Sequence, residues 1–470
     1  MRAPNSSGLF VACAQVNTRF GNEVFPGARD AAACNARGGA RKSHLSMLKH
    51  GALAIIAGAL VMGCGTHREN VATAPVAPSD AGGDSVASVS ELGATSETSE
   101  ATTTTLGGPI AGLDAAELAR FAAGRDDFME VETVDDGIGP VFNEASCATC
   151  HDAPVGGTTG RTETRFGRMV GGQFDPLAER GGSLMQDHAI GAVPAGAGTF
   201  TFVPEVVPAQ ATVHAQRVTT PLFGLGLVDA VPDATFLILA RLEGLYSPST
   251  RGTPSLVTEL RTGATRVGRF GWKAQVPTLH QFSGDAYINE MGVTNPEFPN
   301  ENCPQGDCAP LAFNPDPGMN NDGSDVDRFA DFMTLLGPPK RGNRAFQSEA
   351  GEQVFRRIGC ANCHTPALVT GFSPVRALSH RVFEPYSDFL LHDMGELGDG
   401  IVQNLADGRE MRTAPLWGLS ARSVYLHDGR AKSVHDAILG HSGQGTAARD
   451  RFVGLNPRMQ AALLAFLQSL

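Results

Sequence analysis

Two copies of one five-residue pattern carry more chemistry than anything else in this chain: Cys147-Ala-Thr-Cys150-His151 and Cys360-Ala-Asn-Cys363-His364. Two thiols three residues apart, followed at once by an imidazole, suit one task. The sulfurs reach the two vinyl groups on one edge of a porphyrin while the imidazole turns onto the iron. With 9 Cys and 13 His in 470 residues, about 0.005 chance matches are expected, so two are hard to dismiss. A redox Cys-x-x-Cys pair or half of a zinc site is the competing use of the same thiols. The pattern predicts two covalently bound haem c groups (iron), attached through Cys147, Cys150, Cys360 and Cys363, with His151 and His364 as metal ligands.

Several elements must hold these motifs in place. A length of 470 residues with 42% hydrophobic content allows two or three compact domains. The net charge of -12, with no dense Lys/Arg run after the amino-terminal region, removes electrostatic support for nucleic-acid binding. A small redox partner or a small oxidant fits better. Residues 47–63 have a short basic start, an apolar run too short to span a bilayer and small residues before Cys64, which reads as a lipoprotein signal peptide. Residues 1–46 would then be a start-site artefact or a removed extension, and a buried helix over 51–62 is the alternative. From 64 to 110 the chain is rich in Ala, Ser, Thr, Val and Gly with scarcely a large apolar residue, the composition of a disordered tether. These signals predict a cell-envelope protein on the periplasmic side, anchored to a membrane, the outer one, through a lipid on Cys64.

Asp114-Ala-Ala-Glu117 predicts a capped helix through Ala123 that Gly124 closes. Helices are also expected over 232–242, 326–336, 349–357 and 457–470, with Gly337-Pro-Pro339 stopping the second of these. The expected fold class is therefore mainly α: two cytochrome c-like haem domains, 111–340 and 341–470, with long loop insertions. Outside the cytoplasm Cys303 and Cys308 are expected to form a disulfide across a surface loop. Asn320–Asp327 has the flavour of a calcium loop, but the positions that should bear ligands are Gly318 and Phe329, so a turn and helix cap is the better reading and calcium is weakly supported.

The segment Arg412–Ala431, which contains Tyr425-Leu-His427-Asp-Gly429, resembles bacterial di-haem cytochrome c peroxidases. Together with Tyr386-Ser-Asp-Phe-Leu-Leu-His-Asp-Met-Gly395 it is closer still to the di-haem oxidoreductase family sometimes labelled thiol oxidoreductase. Similar segments occur at 139–147, 221–227 and 268–275. No thiol pair beyond the motif and loop cysteines supports that label here. The resemblance implies that the haem on His151 reacts with peroxide and the haem on His364 transfers electrons. His441, fourteen residues after His427, stands where the peroxidases carry a distal Met, which implies a bis-His second haem of lower potential; Met394 and His435 compete for that role. Trp272 matches the aromatic between the haems, Gln281 lies near the family spacing, and Glu290 matches the catalytic carboxylate, with Glu297 as rival. His188, Met185 or no residue at all would complete the first haem, and His214 and His280 read as packing or hydrogen-bonding residues.

The expected function is a periplasm-facing di-haem c oxidoreductase of peroxidase type. It would take electrons at the C-terminal haem from a small redox protein or a quinol-linked donor, and react with hydrogen peroxide or another small oxidant at the N-terminal haem. The alternatives are an electron-transfer di-haem cytochrome and a haem lipoprotein of a metal-uptake or surface complex.

Overall fold

The computed structural model describes residues 106–342 and 346–470. The extension 1–46, the signal-like segment 47–63, Cys64 and the tether up to residue 105 lie outside the described residues. Among the described residues no helix is long and apolar enough to cross a membrane.

The described residues include six helices of at least 12 residues: α1 Ala115–Phe128, α2 Asp233–Tyr246, α3 Leu279–Met291, α4 Ser324–Leu335, α5 Phe346–Ile358 and α6 Pro457–Gln468. The capping box forms as expected, with the Asp114 carboxylate accepting from the Glu117 amide (2.8 Å) and the Glu117 carboxylate from the Asp114 amide (2.9 Å). Gly124, however, does not end the helix. A Cβ there would lie 2.2 Å from the Arg328 carbonyl, so the glycine is kept for a close crossing of α1 and α4. The same device recurs in the other half, where a Cβ on Gly351 would lie 2.0 Å from the Ala462 carbonyl at the crossing of α5 and α6. Each crossing brings a phenylalanine onto a motif histidine. Phe128 packs on Phe332 (4.9 Å between centroids) and His151 (5.9 Å), and Phe355 packs on Phe466 (5.3 Å) and His364 (6.4 Å).

The expectation of a mainly α fold is overturned: 36% of the described residues are helical and 17% lie in strands. Much of the strand content falls between the motifs. Strands β1 Thr162–Val170, β2 Gln173–Asp175 and β3 Val213–Val218 form an antiparallel sheet in the order β2-β1-β3. Two hairpin-like pairs follow, β4 Ser255–Thr258 with β5 Thr265–Gly268 and β6 Leu391–Asp393 with β7 Glu410–Arg412. The period-2 signal of β1 was hidden because charged side chains share its inward face. Glu163 sits opposite Arg217 in the ladder, and Arg165 is two residues further along the same face.

Smaller expectations hold. Cys303 and Cys308 are joined as a disulfide. Asn321 Oδ1 accepts from the Gly323 amide (2.8 Å), Asp322 Oδ1 from the Ser324 amide (3.0 Å) and Asn320 Oδ1 from the Thr294 hydroxyl (2.7 Å). Those oxygens serve a turn and the entry to α4, and calcium gains no support from them.

Candidate functional site

Each motif opens into its own cavity, and in each the histidine is aimed by a backbone carbonyl. The His364 Nδ1 donates to the Tyr386 carbonyl (3.0 Å), and His441, just past a short helix Val434–Leu439, donates its Nδ1 to the Ala437 carbonyl (2.8 Å). Such bonds fix the tautomer and leave both Nε2 atoms as acceptors. The two rings are 6.4 Å apart, centre to centre, across a cavity that both line. With metal to imidazole bonds of about 2.0 Å, one ion held between two rings sets their centres roughly 6 Å apart, so the spacing fits a single iron. Met394 also lines this cavity. His435 does not: it is exposed, beside Asp436 (3.6 Å) and Phe452 (5.6 Å).

In the first cavity the His151 Nδ1 faces the Gly157 carbonyl at 3.4 Å. Burial lowers the imidazoles of His151 and His364 to about 4, so both are neutral ligands at neutral pH. Burial also pushes the Cys147 and Cys360 thiols up to about 12 and Cys150 to about 11. A reactive redox pair needs a thiolate, and burial holds these cysteines away from that state. The cysteines, the neutral imidazoles and the largely apolar walls fit a porphyrin with its iron.

Opposite elements complete the first cavity. The Glu290 side chain from α3 lines it, accepting from Asn143 Nδ2 (2.7 Å). Burial, with the Glu163 charge second, pushes the Glu290 carboxyl up to about 8. Met185 lines the same cavity, whereas His188 is exposed, paired with Asp187 (2.7 Å) and stacked on Phe142. The rival Glu297 is held away by His280 Nδ1 (2.8 Å). Gln281 is not brought to either cavity. Its amide oxygen accepts from the Leu260 amide (2.9 Å) and its nitrogen donates to the Thr258 carbonyl (3.4 Å), because its position on α3 faces the β4–β5 loop. His280, between Glu297 and Asp327, and His214, bonded to the Ala211 carbonyl (3.2 Å), have the hydrogen-bonding roles expected of them.

Trp272 lines both cavities. Its indole N–H donates to the Val218 carbonyl (2.8 Å), its own carbonyl accepts from the Arg412 amide (2.8 Å), and the His427 ring meets it edge-on at 6.2 Å. The neighbouring Lys273 is fully buried, donating to the Asp407 and Glu410 carbonyls and pairing with Asp399 (3.0 Å). Val218 from β3 thus holds the indole, while Arg412 from β7 holds the backbone that carries it.

Two charged groups beside the cavities had no reading of their own. Glu163 and Arg165 reach the first cavity from β1, and the Glu-x-Arg spacing on a strand was the available signal. Near the second, His392 contacts Asp388 (3.0 Å), Cys363 Sγ (3.5 Å) and Gln444 (3.1 Å). Burial and then the Asp388 charge push Glu243, behind them, up to about 8. His392 and Asp388 lie in the segment 386–395, whose only signal was family resemblance.

A family model described as "Di-haem oxidoreductase, putative peroxidase" matches residues 209–470, more than half of the chain. The chain belongs to the di-haem oxidoreductases. As a member it uses haem, two groups to a chain, and the two motif cavities are where they fit. The matched span contains Trp272, Glu290, the second motif and His441, while the first motif and β1 lie upstream of it. No curated protein matches the chain. Among solved structures it is similar to a hydrazine synthase of Kuenenia stuttgartiensis at 14% identity, covering 83% of this chain and 100% of that one with a TM-score of 0.35. It is also similar to a MauG-like protein associated with microbial copper homeostasis at 15% identity, covering 75% and 88% with a TM-score of 0.33. The diheme peroxidase BthA from Burkholderia thailandensis aligns at 15% identity over 75% and 86%, again with a TM-score of 0.33.

Proposed function

We propose that this di-haem oxidoreductase is a c-type peroxidase that receives electrons at the His364 site and reduces peroxide at the His151 site. The observation that carries the reading is the asymmetry of the two cavities. One presents two imidazoles 6.4 Å apart; the other presents a single imidazole and a buried carboxyl, Glu290. Two strong ligands saturate an iron and favour electron transfer, whereas one leaves a coordination position for a small oxidant. When bound, the haems supply the redox equivalents. The chain's own residues do the rest: the Cys pairs attach the porphyrins, carbonyl-anchored histidines hold the irons, Glu290 moves a proton, and Trp272 bridges the sites.

A small redox protein or a quinol-linked carrier is proposed as the donor, and the lipid on Cys64 as the attachment to the periplasmic side of the envelope. The lipobox, the tether-like composition and covalent haem motifs, which are assembled outside the cytoplasm, support that compartment together. Electron paramagnetic resonance of the purified ferric protein tests the central claim. One high-spin and one low-spin signal are expected, and peroxide added to the reduced protein should change the high-spin site first. Two low-spin signals inert to peroxide would make it an electron-transfer cytochrome, with Met185 the ligand to examine.

His441→Met tests the assignment of the second site. Imidazole favours ferric iron more than a thioether does, so this variant should raise one of the two midpoint potentials and leave the other nearly fixed. Potentiometry reads the change. If neither potential moves and the low-spin signal persists in His441→Ala, Met394 becomes the ligand.

A further inference from the structure

We propose that Glu163 and Glu290 act as one acid–base unit, a carboxyl pair sharing a single proton, in which Glu163 receives the proton of the incoming peroxide and Glu290 passes its own on. The inference rests on the peroxide reading of the first cavity and names a second residue for its chemistry. Glu163 comes from β1 and Glu290 from α3, both line the cavity that His151 lines, and each carboxyl acts on the protonation of the other. The Glu163 side chain keeps 20% of its surface open and lines the cavity.

Beside Glu163, Glu290 cannot be the group that first takes the peroxide proton. With its carboxyl at about 8 it is already protonated at neutral pH and has no room for another proton. Glu163 is held in the opposite state. Burial pushes it up, but Arg165 (2.6 Å), the hydrogen bond from that guanidinium and Arg217 (3.7 Å) outweigh burial and keep it below the usual carboxylate range. Two like carboxyls in one cavity, one of them beside cations, divide one proton unequally, as neighbouring carboxylates do generally. The charges facing the pair are Arg165 and Arg217 on β1 and β3, Asp285 on α3, and Asp187 and the Arg161–Glu144 ion pair at the rim. Behind Arg217, Asp399 (2.7 Å) and Lys273 continue the network into the C-terminal half.

The balance is that of peroxide reduction. Hydrogen peroxide takes two electrons and two protons and leaves as two waters. The electrons come from the haems and the external donor, and the protons ultimately from solvent. The pair takes the proton from one peroxide oxygen and returns one to the departing oxygen as the O–O bond breaks, ending with the single proton it began with.

The test uses the haem-loaded protein and the variants Glu163→Gln, Glu163→Asp, Glu290→Gln and the double Gln variant. Infrared titration without peroxide follows the C=O stretch of a protonated carboxyl. In the wild type one buried carboxyl should lose its proton near pH 8; in Glu163→Gln that midpoint should move to lower pH, because the like charge is gone. In Glu163→Asp it should stay near the wild type. In peroxide turnover each single Gln variant should lose about 10²-fold or more, and the double variant little beyond that, since one unit has been broken twice. An unmoved infrared midpoint in Glu163→Gln, or losses that multiply in the double variant, would overturn the pair. A wild type that titrates as expected but does not consume peroxide would leave the pair standing and remove the peroxide reading. Should Glu163→Gln fail to load haem, full turnover in a well-loaded Glu163→Ala/Glu290 protein would overturn the proposal, and turnover lost there but kept in Glu163→Asp would support it.

Discussion

Glu290→Gln is expected to bind both haems and to reduce peroxide about 10²-fold or more slowly than the parent protein. The substitution preserves the shape of the side chain and the hydrogen bond with Asn143, so the cavity should be unchanged. What it removes is the acidic proton, which burial and the Glu163 charge hold on the carboxyl up to about pH 8. Steady-state rates at saturating peroxide, with haem content and the second-site potential as controls, measure the loss. Full activity would exclude a carboxyl at this position from the mechanism. Glu297 would not replace it, because its side chain is held by His280.

Cys147→Ala should produce a protein lighter by one haem under denaturing mass measurement when its remaining first-site attachment also fails, and Cys147→Ala/Cys150→Ala should do so outright. Peroxide reduction is expected to vanish with the first haem while the low-spin signal of the second persists. The physical basis is that the two motifs sit in separate cavities behind separate helix crossings, α1 with α4 and α5 with α6, so one can be emptied without dismantling the other. A Cys147→Ala/Cys150→Ala protein that keeps two haems in the mass spectrum would refute covalent attachment through these thiols. Loss of both haems together would show that the sites fold as one unit.

How far the chain could be read without coordinates depends on the range of each interaction. The two Cys-x-x-Cys-His segments declare their chemistry because all the groups lie within five residues, and covalent spacing alone limits what they can do. The helices that carry a strong apolar period, α4 and α6, were placed to within a few residues for the same reason. The capping box of α1 was legible because Asp114 and Glu117 speak only to each other.

Where a local signal served a distant partner, it misled. Gly124 has the look of a helix end, yet it is glycine because α4 passes too close for a methyl group. The strands β1 and β3 hid because Glu163, Arg165 and Arg217 occupy an inward face that in most sheets is apolar, and no hydrophobic period survives that. Gln281 had the expected position along the chain, but the turn of α3 directs it to the β4–β5 loop while Glu290, further along the same helix, enters the cavity.

By itself, then, the sequence determined the two motifs that point to haem, the disulfide, the helices with strong periods and the family resemblance, since each depends on residues near in the chain or on a recognisable string. Only the tertiary structure decided that His441 rather than His435 faces His364, that one indole lines both cavities, and that a strand carboxyl shares a cavity with Glu290. Those facts depend on which side chains share a buried volume. Burial sets their protonation, and burial is a property of the packed chain.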